Sequence, residues 1–330
     1  MMIIIRKIIL TIVAISSLWS QNPWRGKAAQ NEMIEKTPAR DMSKPVEWGY
    51  LDSLAGVYYL DQVPYSGPVI KQLEIGLLTG EFKAGLKHGL WQTLNKIGQP
   101  IMIGHFKEGR KHGKFEQWYD DGDERHRELI ATFDNDKYVD EYKEWYENGK
   151  KSIMGFYIDG QEHGKYTEWY ENGIREYETS KKDENGISIH RSWYESGGKE
   201  SEVYFNNDVQ DGSMTYWYEN GNKWSEDNYK NGIVNGKSLS WYKNGQKKGE
   251  GNFINGKEEG LWIEWWESGA KWSEDFYVDG VLHGTVKKWH ENGQVMVEGQ
   301  VTNGVDDGVW RNWWENGTQS YEGIYKDGEL

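Results

Sequence analysis

The chain has 330 residues, a net charge of −14 and no cysteine. So negative a charge disfavours nucleic acid and anionic lipid as partners. The absence of cysteine excludes disulfides, thiolate nucleophiles and zinc–thiolate sites. The abundance of aromatic residues (19 Trp, 21 Tyr and 8 Phe) and of glycine, at 40 residues, favours β-strands joined by tight turns.

The amino terminus has the pattern of an export signal. Arg6 and Lys7 precede an apolar run from residue 8 to residue 18, and Ser17 and Ser20 offer small residues for cleavage. We therefore expect residues 1–20 to be a signal peptide and the protein to be exported, to the periplasm or outside the cell. An uncleaved anchor is the alternative, although the run is shorter than the roughly 20 apolar residues of a spanning helix. After cleavage we expect no membrane span, and residues 21–62 follow as a linker or lead-in.

Residues 63–330 form a repeat array. Tryptophans recur in it at a spacing of 24 residues from Trp145 onward, and each is followed four residues later by a glycine, usually as W-Y-E-N-G. The tryptophans are Trp118, Trp145, Trp169, Trp193, Trp217, Trp241, Trp265, Trp289 and Trp313, and the glycines are Gly122, Gly149, Gly173, Gly197, Gly221, Gly245, Gly269, Gly293 and Gly317. A fixed period of this length indicates a repeat architecture. We therefore interpret both sets as a structural repeat signature.

Each repeat contains two turn signals. The Asn-Gly of E-N-G predicts a two-residue type I′ hairpin turn. A second Asn-Gly or Asp-Gly precedes the next tryptophan by nine residues, as at Asn231-Gly232 and Asp279-Gly280. Two turns in 24 residues leave two strands of about eight residues. The predicted fold is therefore all-β: an elongated single-layer antiparallel β-meander of about eleven 24-residue hairpin repeats.

The predicted turn also fixes which residues face each other. Positions are counted from each tryptophan, and pairs should sum to +7, so that the aromatic residue at +12 lies opposite, and covers, the glycine at −5. One face should carry the tryptophans with glutamates at +2 and +9. The other should carry the tyrosine at +1, the residue at −3 and the basic residue at +6. A bulge would shift one strand by a residue and exchange these assignments.

The repeating signature, W-Y-E-N-G-x-K followed by Y-x-N-G-x-x-x-G as in residues 217–236, resembles the bacterial MORN-variant repeat. The resemblance covers residues 63–330. It implies a meandering β-sheet with a binding or scaffolding role. Many relatives, the YwqK-like group, are described as antitoxin components of toxin–antitoxin systems. An export signal fits that role poorly, because a cytosolic antitoxin must stay with its toxin.

The residues give little sign of catalysis or metal binding. Four histidines, His88, His112, His163 and His283, share one repeat position, which indicates a structural role in a turn. The acidic insert at residues 120–124 and the later Asp134-Asn135-Asp136 lack the ligand spacing of an EF-hand and are interpreted as a solvated loop. No motif of a hydrolase, metalloprotease or phosphate-binding loop is present. We therefore expect no enzyme activity, cofactor or metal.

Three functions fit this pattern. The first is a non-enzymatic repeat scaffold for protein–protein interaction in the envelope or outside the cell, with an unidentified protein partner. The second is a module that binds cell-wall glycan by stacking sugars on the Trp and Tyr columns, with Trp217 and Trp241 as the residues to test. The third is an antitoxin or immunity-type protein that neutralises a toxin.

Overall fold

The computed structural model describes residues 43–120, 126–180 and 182–330. The expected signal peptide, and Gly122 with the rest of the acidic insert at 121–125, lie outside these residues. Within them the chain contains no α-helix, and a single 3₁₀ helix covers Trp48–Tyr50. No helix of the described ranges has the length and apolar content needed to cross a membrane.

The described residues form 31 strands. They are β1 Val46–Glu47, β2 Asp52–Leu54, β3 Val57–Leu60, β4 Val63–Pro64, β5 Gly67–Leu73, β6 Gly76–Lys83, β7 Leu86–Asn95, β8 Pro100–Lys107, β9 Arg110–Trp118, β10 Arg127–Asp134, β11 Lys137–Trp145, β12 Lys151–Ile158, β13 Gln161–Glu162, β14 Tyr166–Trp169, β15 Arg175–Thr179, β16 Ile187–Trp193, β17 Lys199–Asn206, β18 Val209–Trp217, β19 Lys223–Lys230, β20 Ile233–Val234, β21 Gly236–Trp241, β22 Lys247–Ile254, β23 Lys257–Glu258, β24 Gly260–Trp265, β25 Lys271–Val278, β26 Val281–Leu282, β27 Gly284–Trp289, β28 Val295–Thr302, β29 Val305–Asp306, β30 Gly308–Trp313 and β31 Gln319–Tyr325.

From β5 to β31 the strands form one antiparallel meander, which confirms the predicted fold class. Each strand pairs with its neighbours in the chain, as β18 does with β17 and β19. The shortest strands are the first parts of interrupted strands, since β20 and β21 both pair with β19. The interruption falls at Asn235, at −6, directly before the glycine at −5, whose φ is +110° at Gly236. A left-handed residue there breaks the ladder locally without ending the strand.

The E-N-G turns differ from the prediction. The Tyr218 N–H donates to the Asn222 carbonyl at 2.8 Å, and the Gly221 N–H donates to the Tyr218 carbonyl at 2.8 Å. The loop therefore has three residues, of which only Gly221 has a positive φ, at +88°. This is a type I turn closed by a glycine bulge, so the type I′ prediction was wrong. The Asn220 side chain explains the difference, because its Oδ1 accepts the Asn222 N–H at 3.1 Å and stabilises a longer loop.

The second turn of most repeats is a type I′ turn. The exception is the turn at Asn185-Gly186, a three-residue loop in which the Asp183 N–H donates to the Ile187 carbonyl at 2.9 Å and only Gly186 has a positive φ. Asn231 and Gly232 have φ values of +50° and +81°, and Lys230 pairs directly with Ile233. A type I′ turn requires positive φ at both central residues. Outside the Asn-Gly copies, Asn207 and Asp208 adopt the same conformation, at +48° and +65°.

The predicted register holds along the body of the strands. Four glycines at −5 pair with aromatic residues at +12, in the pairs Gly212–Tyr229, Gly236–Phe253, Gly260–Tyr277 and Gly308–Tyr325. The predicted covering of these glycines is wrong at Gly260, where a Cβ would meet nothing within 4 Å. The covered glycines are instead at +10, since a Cβ on Gly251 would lie 2.1 Å from the Trp262 ring. The covering ring belongs to the next repeat, at −3.

Within the described ranges, buried hydrophobic side chains form two core clusters, of which the smaller contains Phe115, Ala131 and Phe133 and the larger lies toward residue 43. Tyr65, Phe82 and Trp91 are buried there with two valines. The small sheet β2–β3–β4 and the 3₁₀ helix supply a second layer, in which Trp48 and Tyr58 contact Phe82 with ring centroids 5.5 and 4.7 Å apart. The lead-in thus contains folded elements, and β1 pairs in parallel with β5.

Candidate functional site

The sheet presents two different faces, which we name after the columns that they carry. The tryptophan face carries the signature tryptophans, each of which is the last residue of its strand and is half-buried. The tyrosine face carries the following residue, at +1. Because side chains alternate along a strand, the residues at −1 and −3 also lie on the tyrosine face.

On the tryptophan face, a basic residue at +6 lies over the indole of the next repeat. Lys199 Nζ is 5.0 Å from the Trp217 ring centroid, and Lys247 Nζ is 5.2 Å from that of Trp265. The same contact joins Lys151 to Trp169, Arg175 to Trp193, Lys223 to Trp241 and Lys271 to Trp289, at 4.9–5.8 Å. Each such contact contributes about 0.5–1 kcal/mol at an exposed site. One surface of these indoles is thereby occupied by the chain's own cation.

The glutamate column at +9 is neutralised on the same face. All seven members have a lysine or arginine nitrogen within 4 Å: Glu178, Glu202, Glu226, Glu250, Glu274, Glu298 and Glu322. At Glu202 the nitrogens of Arg191 and Lys199 lie at 2.7 and 3.2 Å. Burial alone would raise the pKa of Glu202, but hydrogen bonds from these two residues hold it below the ordinary value. This column stabilises the repeats and is not an open acidic surface.

The basic column at +6 was expected on the opposite face, and that assignment was wrong. Trp217 pairs with Lys223 whereas Tyr216 pairs with Ser225, so Trp224 is an extra, unpaired residue in its strand. Such a bulge turns the residue before it back toward the tryptophan face. Lys199 contacts both Glu202 and Trp217, so the tryptophan and +9 columns share a face as expected.

On the tyrosine face, the side chain at +1 bonds to the backbone of the next repeat. Tyr218 Oη donates to the Trp241 carbonyl at 2.9 Å. The same bond runs from Tyr119 to Trp145, Tyr146 to Trp169, Tyr170 to Trp193, Tyr194 to Trp217 and Tyr242 to Trp265. Asparagines at +3 add a second contact, as when Asn244 Nδ2 donates to the Glu267 carbonyl at 2.9 Å. These bonds align successive turns along one edge of the sheet.

An acidic tyrosine surface lies beside these turns, in the repeats at Trp145, Trp169 and Trp193. It includes the glutamates at +2, which were expected on the tryptophan face; that assignment was wrong, since the charge of Glu195 helps to raise the pKa of Tyr170. Positions −1, +1, +2 and +7 carry no lysine or arginine there. The residues are Tyr146, Tyr170, Tyr194, Glu144, Glu147, Glu168, Glu171, Glu176, Glu195, Glu200, Ser152 and Ser192. In the described part of the chain, the carboxylates of Glu147, Glu171, Glu195 and Glu200 make no ion pair or hydrogen bond. They contrast with the paired column at +9.

The electrostatics of this surface are uniformly negative. Burial, followed by the charges of Glu176, Glu200 and Glu195, raises the pKa of Tyr170 to about 12. Burial also raises the pKa of Glu144, although a hydrogen bond from Tyr142 acts in the opposite direction. Burial, together with the like charges of Glu128 and Glu168, disfavours the ionised form of this carboxyl group.

The equivalent positions of residues 216–296 form a mixed aromatic and basic surface. Trp266 and Trp272 lie with ring centroids 4.4 Å apart, and Trp224 is 50% exposed. Lys248, at +7, places its Nζ 5.8 Å from the centroid of Tyr242, at +1. Position +7 therefore holds a lysine over the tyrosine in the repeat at Trp241. In the repeats at Trp169 and Trp193 the same position holds a glutamate.

The histidines of the shared repeat position make local contacts. His112 Nδ1 lies 3.1 Å from Asp134 Oδ1, and His283 Nδ1 accepts the Asn303 N–H at 3.3 Å. Across residues 43–120, 126–180 and 182–330, no group of three metal-binding side chains comes together. An open groove of about 440 Å³ on the tryptophan face is lined by Leu261 and Phe276 among others. The lysine that lines this groove already forms an ion pair, because Lys287 Nζ lies 3.3 Å from a carboxylate oxygen of Glu298.

The sequence predicts the columns but not two of the contacts that their side chains make. The tryptophan, glycine and +9 glutamate columns follow from periodicity alone. The contact of each +6 cation with the next indole depends on a bulge, and the residues at the bulge, Ser152, Glu176, Glu200, Trp224, Lys248 and Trp272, share no chemistry. The bond from each +1 side chain ends on a backbone carbonyl, which leaves no trace in the sequence.

Comparison with known families identifies the repeat. No curated protein matches the chain. Five segments match the family described as the MORN repeat variant, at residues 141–159, 162–183, 210–231, 234–255 and 282–303. MORN repeats are non-enzymatic repeat modules that generally act as scaffolds for interaction with proteins or membranes. Five segments of the chain are therefore similar to the MORN repeat variant, within an antiparallel meander of the same period.

Proposed function

We propose that the protein is a non-enzymatic scaffold for protein–protein interaction in the cell envelope or outside the cell. The observation that supports this most is the repetition of one exposed surface, with the same +1, +2 and +7 positions presented beside each E-N-G turn. Several weak contacts to one extended partner would then add, although each alone contributes little. The basic, apolar amino terminus supports export.

The glutamate column at +9 also favours a binding role over catalysis. The carboxylates at +9 are held by lysine or arginine, and their pKa is lowered at Glu178, Glu202, Glu250 and Glu322. A general acid or base needs a pKa near the working pH and a proton to transfer at hydrogen-bond distance. Carboxylates tied into ion pairs with lowered pKa do not meet that need.

The test is affinity capture with the full chain, after fractionation has established where it is located. We expect a defined protein partner in the envelope or the medium, at a constant ratio to the chain. The proposal fails if the chain remains cytosolic, or if the folded chain enriches no protein from the fraction in which it occurs.

Glycan binding is a second candidate, and the surface of residues 216–296 favours it. Exposed indoles can stack on sugar rings, and Trp224 and Trp314 are 50% and 64% exposed. The signature residues Trp217 and Trp241 suit this role less well, because Lys199 and Lys223 lie over them. Pelleting with purified cell wall should be lost in Trp224→Ala with Trp272→Ala. Absence of pelleting by the unmodified chain would exclude this candidate.

Toxin neutralisation remains a proposal that rests on the resemblance to the bacterial group of antitoxin components. It is a special case of protein binding. Identification of the captured partner as a toxin would support it, and a partner with no toxic activity when expressed alone would exclude it.

A further inference from the structure

We propose that the acidic tyrosine surface binds an extended cationic segment of a partner protein, with lysine or arginine at about every third residue. This inference rests on the proposed scaffold function and specifies the surface and the chemistry of the partner. It depends on three observations: unpaired carboxylates, tyrosine rings set among them, and a lysine that occupies the equivalent site elsewhere in the chain.

Several carboxylates of this surface are available, unlike those of the +9 column on the tryptophan face. Glu171, Glu195 and Glu200 are unpaired among the described residues, whereas each +9 glutamate has its own lysine or arginine. Electrostatic neighbours that shift the pKa of Tyr170 are all glutamates. The surface therefore combines negative potential with aromatic rings, which is the combination that attracts lysine and arginine.

The chain itself shows where a cation sits on this surface. In the repeat at Trp241, the ammonium of Lys248 lies 5.8 Å from the Tyr242 ring. In the repeats at Trp169 and Trp193 the residue at the position of Lys248 is a glutamate, Glu176 or Glu200. A cation in the same place relative to Tyr170 or Tyr194 would meet a carboxylate instead of a competing ammonium. The site thus accepts an ammonium, and beside Tyr194 no lysine among the described residues supplies one, since Glu200 is unpaired there.

The spacing of the sites indicates a polypeptide and not a small cation. Successive tyrosines of the column are two strands apart, about 9.6 Å at the usual strand spacing. Three residues of an extended polyproline II chain span about 9.3 Å and bring the side chain back to the same side, so that every third lysine would face the surface. One exposed ion pair is weak and screened by salt, so a single ammonium would bind poorly. A chain that repeats its charge every third residue would contact several repeats at once.

The test uses the full-length protein and a fluorescent peptide with lysine at every third residue, separated by serine and glycine. Binding is measured by fluorescence anisotropy at low and at moderate salt. The test variant is Glu171→Gln, Glu195→Gln and Glu200→Gln together. The matched control is Glu219→Gln, Glu267→Gln and Glu291→Gln together, which removes the same charge from the mixed aromatic and basic surface.

We expect the test variant to bind the peptide about tenfold more weakly and the control variant to bind within about twofold of the unmodified protein. We also expect weaker binding of a peptide with the same number of lysines at every second residue. Equal losses in both variants would overturn the proposal, because they would indicate general attraction to net charge. Absence of binding by the unmodified protein would overturn it as well.

This outcome is separable from that of the proposed scaffold function. If affinity capture yields a partner that the lysine peptide does not displace, the scaffold function stands and the assignment of the acidic tyrosine surface fails. If the peptide binds as expected but no protein is captured, the surface chemistry stands and the scaffold function fails.

Discussion

Two groups of tyrosines in the sheet, the +1 column and Tyr157, Tyr229 and Tyr277 at +12, differ by one hydrogen bond. Tyr218, in the +1 column, donates its hydroxyl proton to the Trp241 carbonyl at 2.9 Å. Tyr229, at +12, is half-buried to a similar degree, and its hydroxyl makes no hydrogen bond in the described ranges. The ring of each contributes packing, but only the first group joins one repeat to the next.

Removal of the Tyr218 hydroxyl should therefore destabilise the protein. We expect Tyr218→Phe to lower the free energy of unfolding by about 0.5–1.5 kcal/mol, the usual net value of one hydrogen bond. Tyr229→Phe should change it by less than about 0.5 kcal/mol. Urea denaturation followed by tryptophan fluorescence measures both. Equal effects of the two substitutions would show that the +1 hydroxyl adds nothing.

Two glutamates should respond to pH in opposite directions. Burial would raise the pKa of Glu178, but hydrogen bonds from Lys165 and Arg175 lower it, so ionised Glu178 stabilises the fold above its unfolded pKa. That stability is lost as the pH falls through the lowered, folded value. Burial raises the pKa of Glu144, so its ionised form opposes folding at neutral pH, and this cost disappears as the pH falls from the raised value to the unfolded one.

Glutamine substitutions test these signs. At pH 7, we expect Glu178→Gln to destabilise the protein by about 1–2 kcal/mol, since it loses charge-assisted hydrogen bonds to half-exposed partners. Glu144→Gln should stabilise it, because the amide oxygen can still accept the Tyr142 hydroxyl. Both differences should shrink toward zero in melting curves recorded at progressively lower pH. A Glu144→Gln variant that is less stable at pH 7 would contradict the account.

Each hairpin shows how far the sequence specifies an element. The second turn could be predicted in full, because Asn231-Gly232 and its equivalents admit positive φ at both central residues. The position of the first turn could be predicted, but its length could not. The asparagine side chain stabilises a three-residue loop through a hydrogen bond to the backbone, which an Asn-Gly pair in the sequence does not indicate. The bulge at +7 was beyond prediction, since residues as different as Ser152 and Trp224 occupy it.

The glycine at +10 gives the clearest element-level prediction. Gly251 has an ordinary negative φ, so alanine is excluded there only by the Trp262 ring, 2.1 Å from the added Cβ. We expect Gly251→Ala to cost about 1–3 kcal/mol, as overpacking usually does. The double variant with Trp262→Leu should recover part of that loss relative to the sum of the single changes. Strict additivity in a double-mutant cycle would refute the ring–glycine contact.

Across the whole repeat array, contacts run mainly between neighbouring repeats. Cation–π contacts, +1 hydrogen bonds and asparagine bonds each join one repeat to the next. The exception to this pattern is the amino-terminal part of the array. There the separate small sheet β2–β4 packs on the large sheet, and the two form a two-layer core around Phe82 and Trp91. That core could not be predicted, because the lead-in occurs once and offers no period to compare.

Because each repeat contacts mainly its two neighbours, we expect the sheet to stay folded when one complete repeat is deleted. Deletion of residues 228–251, one 24-residue period, joins Asp227 to Asn252, the same residue type as Asn228. We expect this variant to keep its β-sheet circular dichroism and to melt cooperatively. A deletion one residue shorter, residues 229–251, should lose most of its stability, because the extra residue exchanges the two faces of the following strand. Equal melting temperatures would argue against the register described for β19 and β22.

The proposed function belongs to a surface that is copied from repeat to repeat, with the acidic copies as its active part. The most direct measurement compares two single-period deletions, residues 170–193 and residues 242–265, in binding of the lysine peptide. Removal of residues 170–193 should weaken binding several-fold without abolishing it, because one of several equivalent contacts is lost. Removal of residues 242–265 should leave the affinity unchanged. Equal affinities of the two deletion variants, or complete loss of binding on removal of one acidic repeat, would contradict the account.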